Sequence, residues 1–217
     1  MLLKDYYSNL KKEFHEFDFN GIAFNSNLVK KNYIFFAIKG NNLDGNKYIK
    51  NAIKNGSKII ISAKVKERLE NNILYLKNKN PRKLIAEFAV KINNRHPNNL
   101  VAVTGTNGKS SIANFYYQIL KLNKKKVSSI GTLGIEGINY KNNISNTTYD
   151  PIVLNNILTI LKKKNINNVI LEASSHGLKQ HRLDGLKFNL GIFTNLSRDH
   201  LDYHKSFKDY FDSKLIL

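Results

Sequence analysis

An α/β fold with a mostly parallel sheet is what this sequence predicts, on three observations. Short apolar and aromatic runs alternate with segments of helical periodicity along the chain. A strand-like run, a Gly-rich loop and an amphipathic helix follow one another directly in residues 100–120. Of the 217 residues, 41% are apolar, enough for a core and too many for wholesale disorder. At roughly 100–200 residues per domain, the length fits one large domain or two small ones.

Taken in order, Tyr33-Ile34-Phe35-Phe36-Ala37-Ile38 is a dense β-type run. A Gly/Asn turn from Gly40 to Gly45 follows, then Tyr48, Ile49, Ala52 and Ile53 at helical spacing. Lys58 to Ser62 and Ile73 to Leu76 are short strand candidates. From Pro81, which suits a first helical turn, Leu84, Ile85, Phe88, Ala89 and Ile92 recur at helical intervals. His96-Pro97-Asn98-Asn99 breaks the pattern and marks the domain boundary, giving domains 1–96 and 97–217. Leu100 to Thr104 is a strand, and Ile112, Phe115, Tyr116, Ile119 and Leu120 belong to the helix after the Gly loop. Strands are expected again at Lys126 to Ile130, Val169 to Leu171 and Leu190 to Thr194, with a helix from Pro151 through Leu161. Phe14, Phe17, Phe19, Tyr33, Phe35 and Phe36 read as core of the first domain.

Composition excludes several classes. With no Cys there is no disulfide framework, thiolate metal site or cysteine nucleophile. The start, Met1-Leu2-Leu3-Lys4-Asp5-Tyr6-Tyr7, has no apolar signal core, and no apolar run approaches the ~18 residues of a membrane span. A cytoplasmic chain without membrane insertion is expected. The net charge of +19 comes almost entirely from Lys; the only Arg are Arg68, Arg82, Arg95, Arg182 and Arg198. Base and phosphate readers favour Arg forks, so a solvated Lys-rich surface is the reading and nucleic acid is not an expected partner.

The sharpest signal is Thr104-Gly105-Thr106-Asn107-Gly108-Lys109-Ser110-Ser111. A Gly-rich loop between strand and helix lets backbone N–H groups close on phosphate oxygens, helped by the helix N-terminus. Lys109 would reach the β/γ-phosphates, and Ser110 would place a hydroxyl on Mg²⁺. The first Gly of the usual G-x-x-x-x-G-K-[ST] pattern would fall at Val103, so this is a variant of that loop.

The variant resembles the ATP loop of the Mur ligases and folylpolyglutamate synthetases, which join a carboxylate to an amine and release ADP. Downstream, Asn146-Thr147-Thr148, Leu171-Glu172-Ala173-Ser174-Ser175-His176-Gly177-Leu178, Gln180-His181-Arg182 and Phe193 through His204 look like central-domain motifs of the MurE type of Mur ligase. Phe24-Asn25-Ser26-Asn27 and Phe35 through Gly40, followed by Asp44-Gly45, resemble that family's uridine-binding domain. Asn25-Ser26-Asn27 stands where the family usually has Asp-Ser-Arg, keeping the hydroxyl and losing both charges. Asn41-Asn42 replaces His-Gln.

The resemblance implies a small α/β N-terminal uridine-nucleotide domain, followed by the start of a P-loop-type, mostly parallel-sheet ATP-binding central domain. It implies an ATP-dependent, ADP-forming amide ligase of peptidoglycan synthesis, and so a part in cell-wall building, cell shape and cell division. The substrates would be UDP-MurNAc-L-Ala-D-Glu and a diamino acid, meso-diaminopimelate being expected, joined through an acyl phosphate. ATP would be held by Gly105, Thr106, Asn107, Gly108, Lys109, Ser110 and Ser111. Lys109, Glu172, His200 and Lys214 would be catalytic. Ser110, Glu172, His200 and Lys214 would hold Mg²⁺, Lys214 as a CO₂-derived carbamate, with Asp199 orienting His200. Without the motif, one Lys among so many reads as solvated surface. Ser26, Asn146, Thr147, Thr148, Ser174, Gln180 and Arg182 would bind the UDP-sugar peptide, Arg182 as a fork for an anion. His176, His181 and His204 read as structural. The chain stops in Leu215-Ile216-Leu217, which suggests an interrupted second domain and an inactive fragment; a monomer is expected. A non-catalytic nucleotide- and UDP-sugar-binding remnant is the alternative, or another Mur ligase or folylpolyglutamate synthetase-type enzyme.

Overall fold

The structure is a computed structural model and describes residues 1–8, 10–40, 43–140 and 146–217. The Asn41-Asn42 departure lies outside the described residues. Two compact units emerge, Met1–Lys91 and Ile92–Leu217, a division five residues ahead of the loop at His96-Pro97.

The first unit holds β1 (Gly21–Ala23), β2 (Tyr33–Ala37), α1 (Ile49–Lys54), β3 (Ser57–Ser62), β4 (Arg68–Glu70), β5 (Ile73–Lys77) and α2 (Pro81–Ile92, its last residue in the second unit). The sheet order is β1-β2-β3-β5-β4, parallel except for β4 against β5. Ile34, Phe35 and Phe36 of β2 are buried on both faces, which explains their unbroken apolar run. Phe36 and Phe19 pack on Phe88 of α2 at ring separations of 5.5 and 5.9 Å. Phe17 and Tyr33 are only half-buried, at the rim of the expected aromatic core.

The second unit holds β6 (Asn99–Thr104), α3 (Lys109–Leu122), β7 (Val127–Gly131), β8 (Gly134–Glu136), α4 (Pro151–Lys163), β9 (Asn168–Glu172), α5 (Ser175–Lys179), β10 (Leu190–Phe193) and α6 (Phe207–Lys214). Its sheet order is β10-β6-β9-β7-β8, parallel except for β8 against β7. Alternate residues of β6 and β9 serve opposite faces. Leu100, Ala102, Val169 and Leu171 pack with Leu154, Ile157, Leu158 and Leu161 of α4. Val101, Val103 and Ile170 pack with Ala113, Ile112 and Tyr116 of α3. Asp150 caps α4 by accepting from the backbone N–H groups of Ile152 and Val153, ahead of Pro151 at the first turn.

The α/β class and the mostly parallel sheets are as expected. Strands β1, β4 and β8 and helix α5 went unread: each is three to five residues long, too short for a period to declare itself. On α3 the apolar residues do not form one buried face, since Phe115 and Ile119 are exposed while Ile112 and Tyr116 meet the sheet. Leu158 is fully buried between α4 and the sheet. Leu158→Ala is expected to cost the second unit about 2–5 kcal/mol. Urea unfolding checks this; a loss below about 1 kcal/mol would remove α4 from the core.

Candidate functional site

Parallel strands deliver their carboxyl ends to one edge of the second sheet, and the loops there build a cleft of about 360 Å³. It is lined by the Gly-rich loop from Thr106 through Ser111, by Thr132 and Thr147, by Glu172, Ser174 and Ser175, and by His200, Tyr210 and Lys214.

The loop follows β6 directly, and Gly108 forms the N-cap of α3. The first backbone N–H groups of that helix have no partner within it, so Lys109, Ser110 and Ser111 offer donors and a partial positive charge to the cleft. Gly105 has φ +141, and a Cβ there would collide with the Thr194 side chain, so only glycine suits the position. Thr106 N donates to Asn195 O at 3.0 Å and Asn107 N to Asn195 Oδ1 at 2.9 Å, fixing the loop against residues 194–197. Lys109 Nζ donates to the carbonyls of Gly105 and Thr106, at 2.9 and 2.8 Å. Burial holds its ammonium below the usual lysine range, opposed by the charges of Glu172 and Asp199.

Glu172 closes β9 and is 3% exposed. Its Oε2 accepts from Ser110 Oγ at 3.0 Å and from Thr132 Oγ1 at 3.1 Å, and its Oε1 from Thr132 N at 3.1 Å. Gly131 lets the carboxylate lie there, because a Cβ at that position would run into it. Thr132 Oγ1 also lies 3.1 Å from Thr147 Oγ1. This is a hard-oxygen set, one carboxylate and two hydroxyls, as suits Mg²⁺ completed by waters and phosphates. Among the described residues no group of three His, Cys, Asp or Glu forms a metal cage. His200 lines the same cleft but stands at its exposed rim; its N–H bonds Asp199 Oδ1 at 2.8 Å, and its Nε2 is 3.5 Å from Asp199 Oδ2.

Lys214, which its motif position set apart from the surface lysines, is buried. It is 2% exposed. Its Nζ donates to Gly105 O at 2.7 Å and lies 4.4 Å from the centre of the Tyr210 ring. Tyr210 is fully buried, its hydroxyl 3.0 Å from Thr106 Oγ1.

The expected sugar-peptide residues divide. Thr147 and Ser174 line the cleft; Asn146, Thr148, Gln180 and Arg182 do not, and Ser26 belongs to the first unit. Ser26 is buried, its Oγ accepting from Asn51 Nδ2 at 3.0 Å. Thr148 Oγ1 donates to Glu172 O at 2.9 Å and accepts from Ser174 N at 2.9 Å, while Ser174 Oγ caps α5 by accepting from Gly177 N. Arg182 donates to Thr148 O and, at 2.8 Å, to Gln180 Oε1. Gln180 Nε2 donates to Tyr203 Oη at 3.1 Å. Asn146 is exposed. Thr132, Ser175 and Tyr210 were missed by sequence reasoning. Tyr210, four residues before Lys214, carried a usable helical-spacing signal, and Ser175 stood inside the Leu171–Leu178 motif; Thr132 carried none.

Burial lowers the Lys214 ammonium to about 8, helped by the Lys109 charge and opposed by Asp199. Below pH 8 folded and unfolded chains both hold this proton, so the penalty of burying the charge stands in full; it is relieved as pH rises from about 8 towards 10.5. Lys214→Met is therefore expected to stabilise the second unit at about pH 7 by on the order of 2–3 kcal/mol. The gain should shrink at about pH 9.5. Urea melts of both proteins at the two pH values check this; an equal difference at both would refute it.

Residues 103–217 match the Mur ligase middle domain, and residues 18–93 match the Mur ligase family, catalytic domain. The chain is 39% identical, over 96% of its length, to the UDP-N-acetylmuramoyl-L-alanyl-D-glutamate--2,6-diaminopimelate ligase of Rickettsia conorii, of which it covers 44%. It is 40% identical over 90% of its length to the protein of the same name from Wigglesworthia glossinidia brevipalpis, covering 41% of it. The chain thus spans less than half the length of these relatives. A solved UDP-N-acetylmuramoyl-L-alanyl-D-glutamate--2,6-diaminopimelate ligase superposes over the whole chain and 44% of its own, with TM-score 0.80 and 27% identity. The MurF ligase of Thermotoga maritima, solved in complex with ADP, shares the fold at TM-score 0.57 and 21% identity, over 90% of this chain and 42% of its own.

Proposed function

Because this chain belongs to the Mur ligase family, we propose that it is the nucleotide- and UDP-sugar-binding part of an ATP-dependent, ADP-forming ligase of the MurE type. That enzyme would add a diamino acid, meso-diaminopimelate, to UDP-MurNAc-L-Ala-D-Glu in the cytoplasm. The observation that carries the reading is the convergence of Lys109, Ser110, Glu172 and Lys214 on one cleft at the N-terminus of α3.

The chemistry is phosphoryl transfer from ATP to the substrate carboxylate, then attack of an amine on the acyl phosphate with loss of phosphate. Most of the charge that moves sits on phosphoryl oxygens, so fixed donors and cations are what the site must supply. The backbone N–H groups of Lys109, Ser110 and Ser111 bind phosphate oxygens, and the Lys109 ammonium turns from its own loop carbonyls to the β/γ-phosphates. Mg²⁺ would supply positive charge to offset that of the phosphates. Ser110 and Glu172 would hold it, with His200 and a carbamylated Lys214 on a second ion. Carbamylation adds CO₂ to a neutral amine and releases one proton, giving an anionic oxygen ligand. Burial of Lys214 supports it by favouring the neutral amine. Arg182, with Gln180, would hold an anionic group of the UDP-sugar peptide, and Ser26 the uridine.

Calorimetry with MgADP tests the nucleotide site. The wild-type chain is expected to bind, and Lys109→Ala to weaken binding at least about tenfold, or about 1.4 kcal/mol. Arg182→Ala should stay within about threefold of wild type for MgADP while weakening UDP-MurNAc-dipeptide binding about tenfold or more. Intact UDP-substrate binding in Arg182→Ala would overturn the assignment of Arg182. The second reading is binding of nucleotide and UDP-sugar without catalysis. ADP release requiring both the UDP-substrate and a diamino acid would sink it.

A further inference from the structure

Behind the cleft lies a buried polar chain that the proposed chemistry does not use. We propose that His204 is a positioning residue, linking Ser175 at the cleft to the helix that presents Lys214. Its meaning for catalysis rests on the phosphate-loop reading above.

His204 is 1% exposed. Its Nε2 lies 3.0 Å from Ser175 Oγ, and its Nδ1 lies 3.4 Å from Ser213 Oγ and 3.7 Å from Asp209 Oδ2. The proton on the ring can be assigned. Ser213 Oγ donates its own proton to the Asp209 carbonyl at 2.6 Å, so towards His204 it can only accept. The ring proton therefore sits on Nδ1, facing Ser213 and the Asp209 carboxylate, and Nε2 accepts from the Ser175 hydroxyl. Burial favours the neutral ring that this arrangement needs. Ser175 has its proton committed to His204 and keeps only acceptor capacity towards the cleft it lines.

The chain runs from α5 through the imidazole to Ser213, the residue before Lys214. A second strap runs alongside it: Lys179 of α5 pairs with Asp209 of α6, whose Oδ2 also accepts from Lys205 N at 3.0 Å. Together these ties set where α6 lies against α5, and so where the Lys214 amine meets Gly105. The alternative is that the ring merely fills space among Tyr203, Tyr210 and His176, whose ring centres lie 4.9, 5.1 and 5.5 Å away.

Substitutions separate the two. His204→Phe keeps an aromatic ring and loses both nitrogens; His204→Gln restores a polar group that can meet Ser175. The readout is the acetylation rate of the Lys214 amine by acetic anhydride in the full chain, located by mass spectrometry well below the melting temperature, with exposed Lys187 as reference. His204→Phe is expected to raise labelling of Lys214 at least about tenfold, and His204→Gln to hold it within about threefold of wild type. A purely space-filling ring predicts unchanged labelling in His204→Phe, and that result would overturn the proposal. Should His204→Phe not fold, Ser213→Ala removes the acceptor of Nδ1–H and is expected to raise labelling at least about threefold; no rise would equally overturn it. The labelling needs no nucleotide. Failure of the phosphate-loop reading would appear separately, as absent MgADP binding by the wild-type chain.

Discussion

A lysine ammonium removed from water must be met by oxygen, and the functional end of the second unit is arranged around that demand at Lys214. Its partner is the Gly105 carbonyl, which also receives Lys109. Two cations therefore converge on one loop oxygen, and the Lys109 charge adds to burial in lowering the tendency of Lys214 to stay charged. The loop is held for this purpose from the far side by Asn195 and by the Thr106–Tyr210 contact. Helix α6 thus meets the Gly-rich loop twice, once through an ammonium and once through a phenol.

The carboxylate side of the cleft obeys a complementary constraint. Glu172 is buried at the end of β9, and among the described residues its carboxylate accepts from two hydroxyls and one backbone N–H. The approach depends on Gly131 at the end of the neighbouring strand. The carboxylate and the two ammoniums thus have separate sets of hydrogen-bond partners, Glu172 the side chains of Ser110 and Thr132 and the Thr132 N–H, Lys109 and Lys214 the loop carbonyls. A phosphate chain carrying a hard cation is the ligand such a division suits.

Of the residues the family motifs singled out, Lys109, Ser110, Glu172, His200 and Lys214 line one cleft with Thr147 and Ser174, while Asn146, Thr148, Gln180 and Arg182 do not. Lys109, Ser110 and Glu172 were legible because a strand–loop–helix unit has few ways to fold, and a strand end has one direction to face. Thr148, Gln180 and Arg182 share one hydrogen-bond network beside the cleft, which no spacing in the sequence announces. Thr132 stayed hidden because a hydroxyl carries no pattern of its own; its role is set by which neighbour takes its proton.

Two sequence features sufficed by themselves: the alternation of apolar strand runs with helical periods, which yields an α/β fold with a mostly parallel sheet in the second half, and the Gly-rich loop, whose place between strand and helix puts it at a sheet edge. Both are local, encoded in spacing and in the backbone freedom of glycine. Only the tertiary structure decided which lysine is buried. Apart from its motif position, Lys214 sits in a short helix with no periodicity or composition to tell it from the many lysines at the surface. Its burial follows from Tyr210, His204 and the straps between α5 and α6, contacts between residues up to 109 positions apart, and no local pattern encodes them.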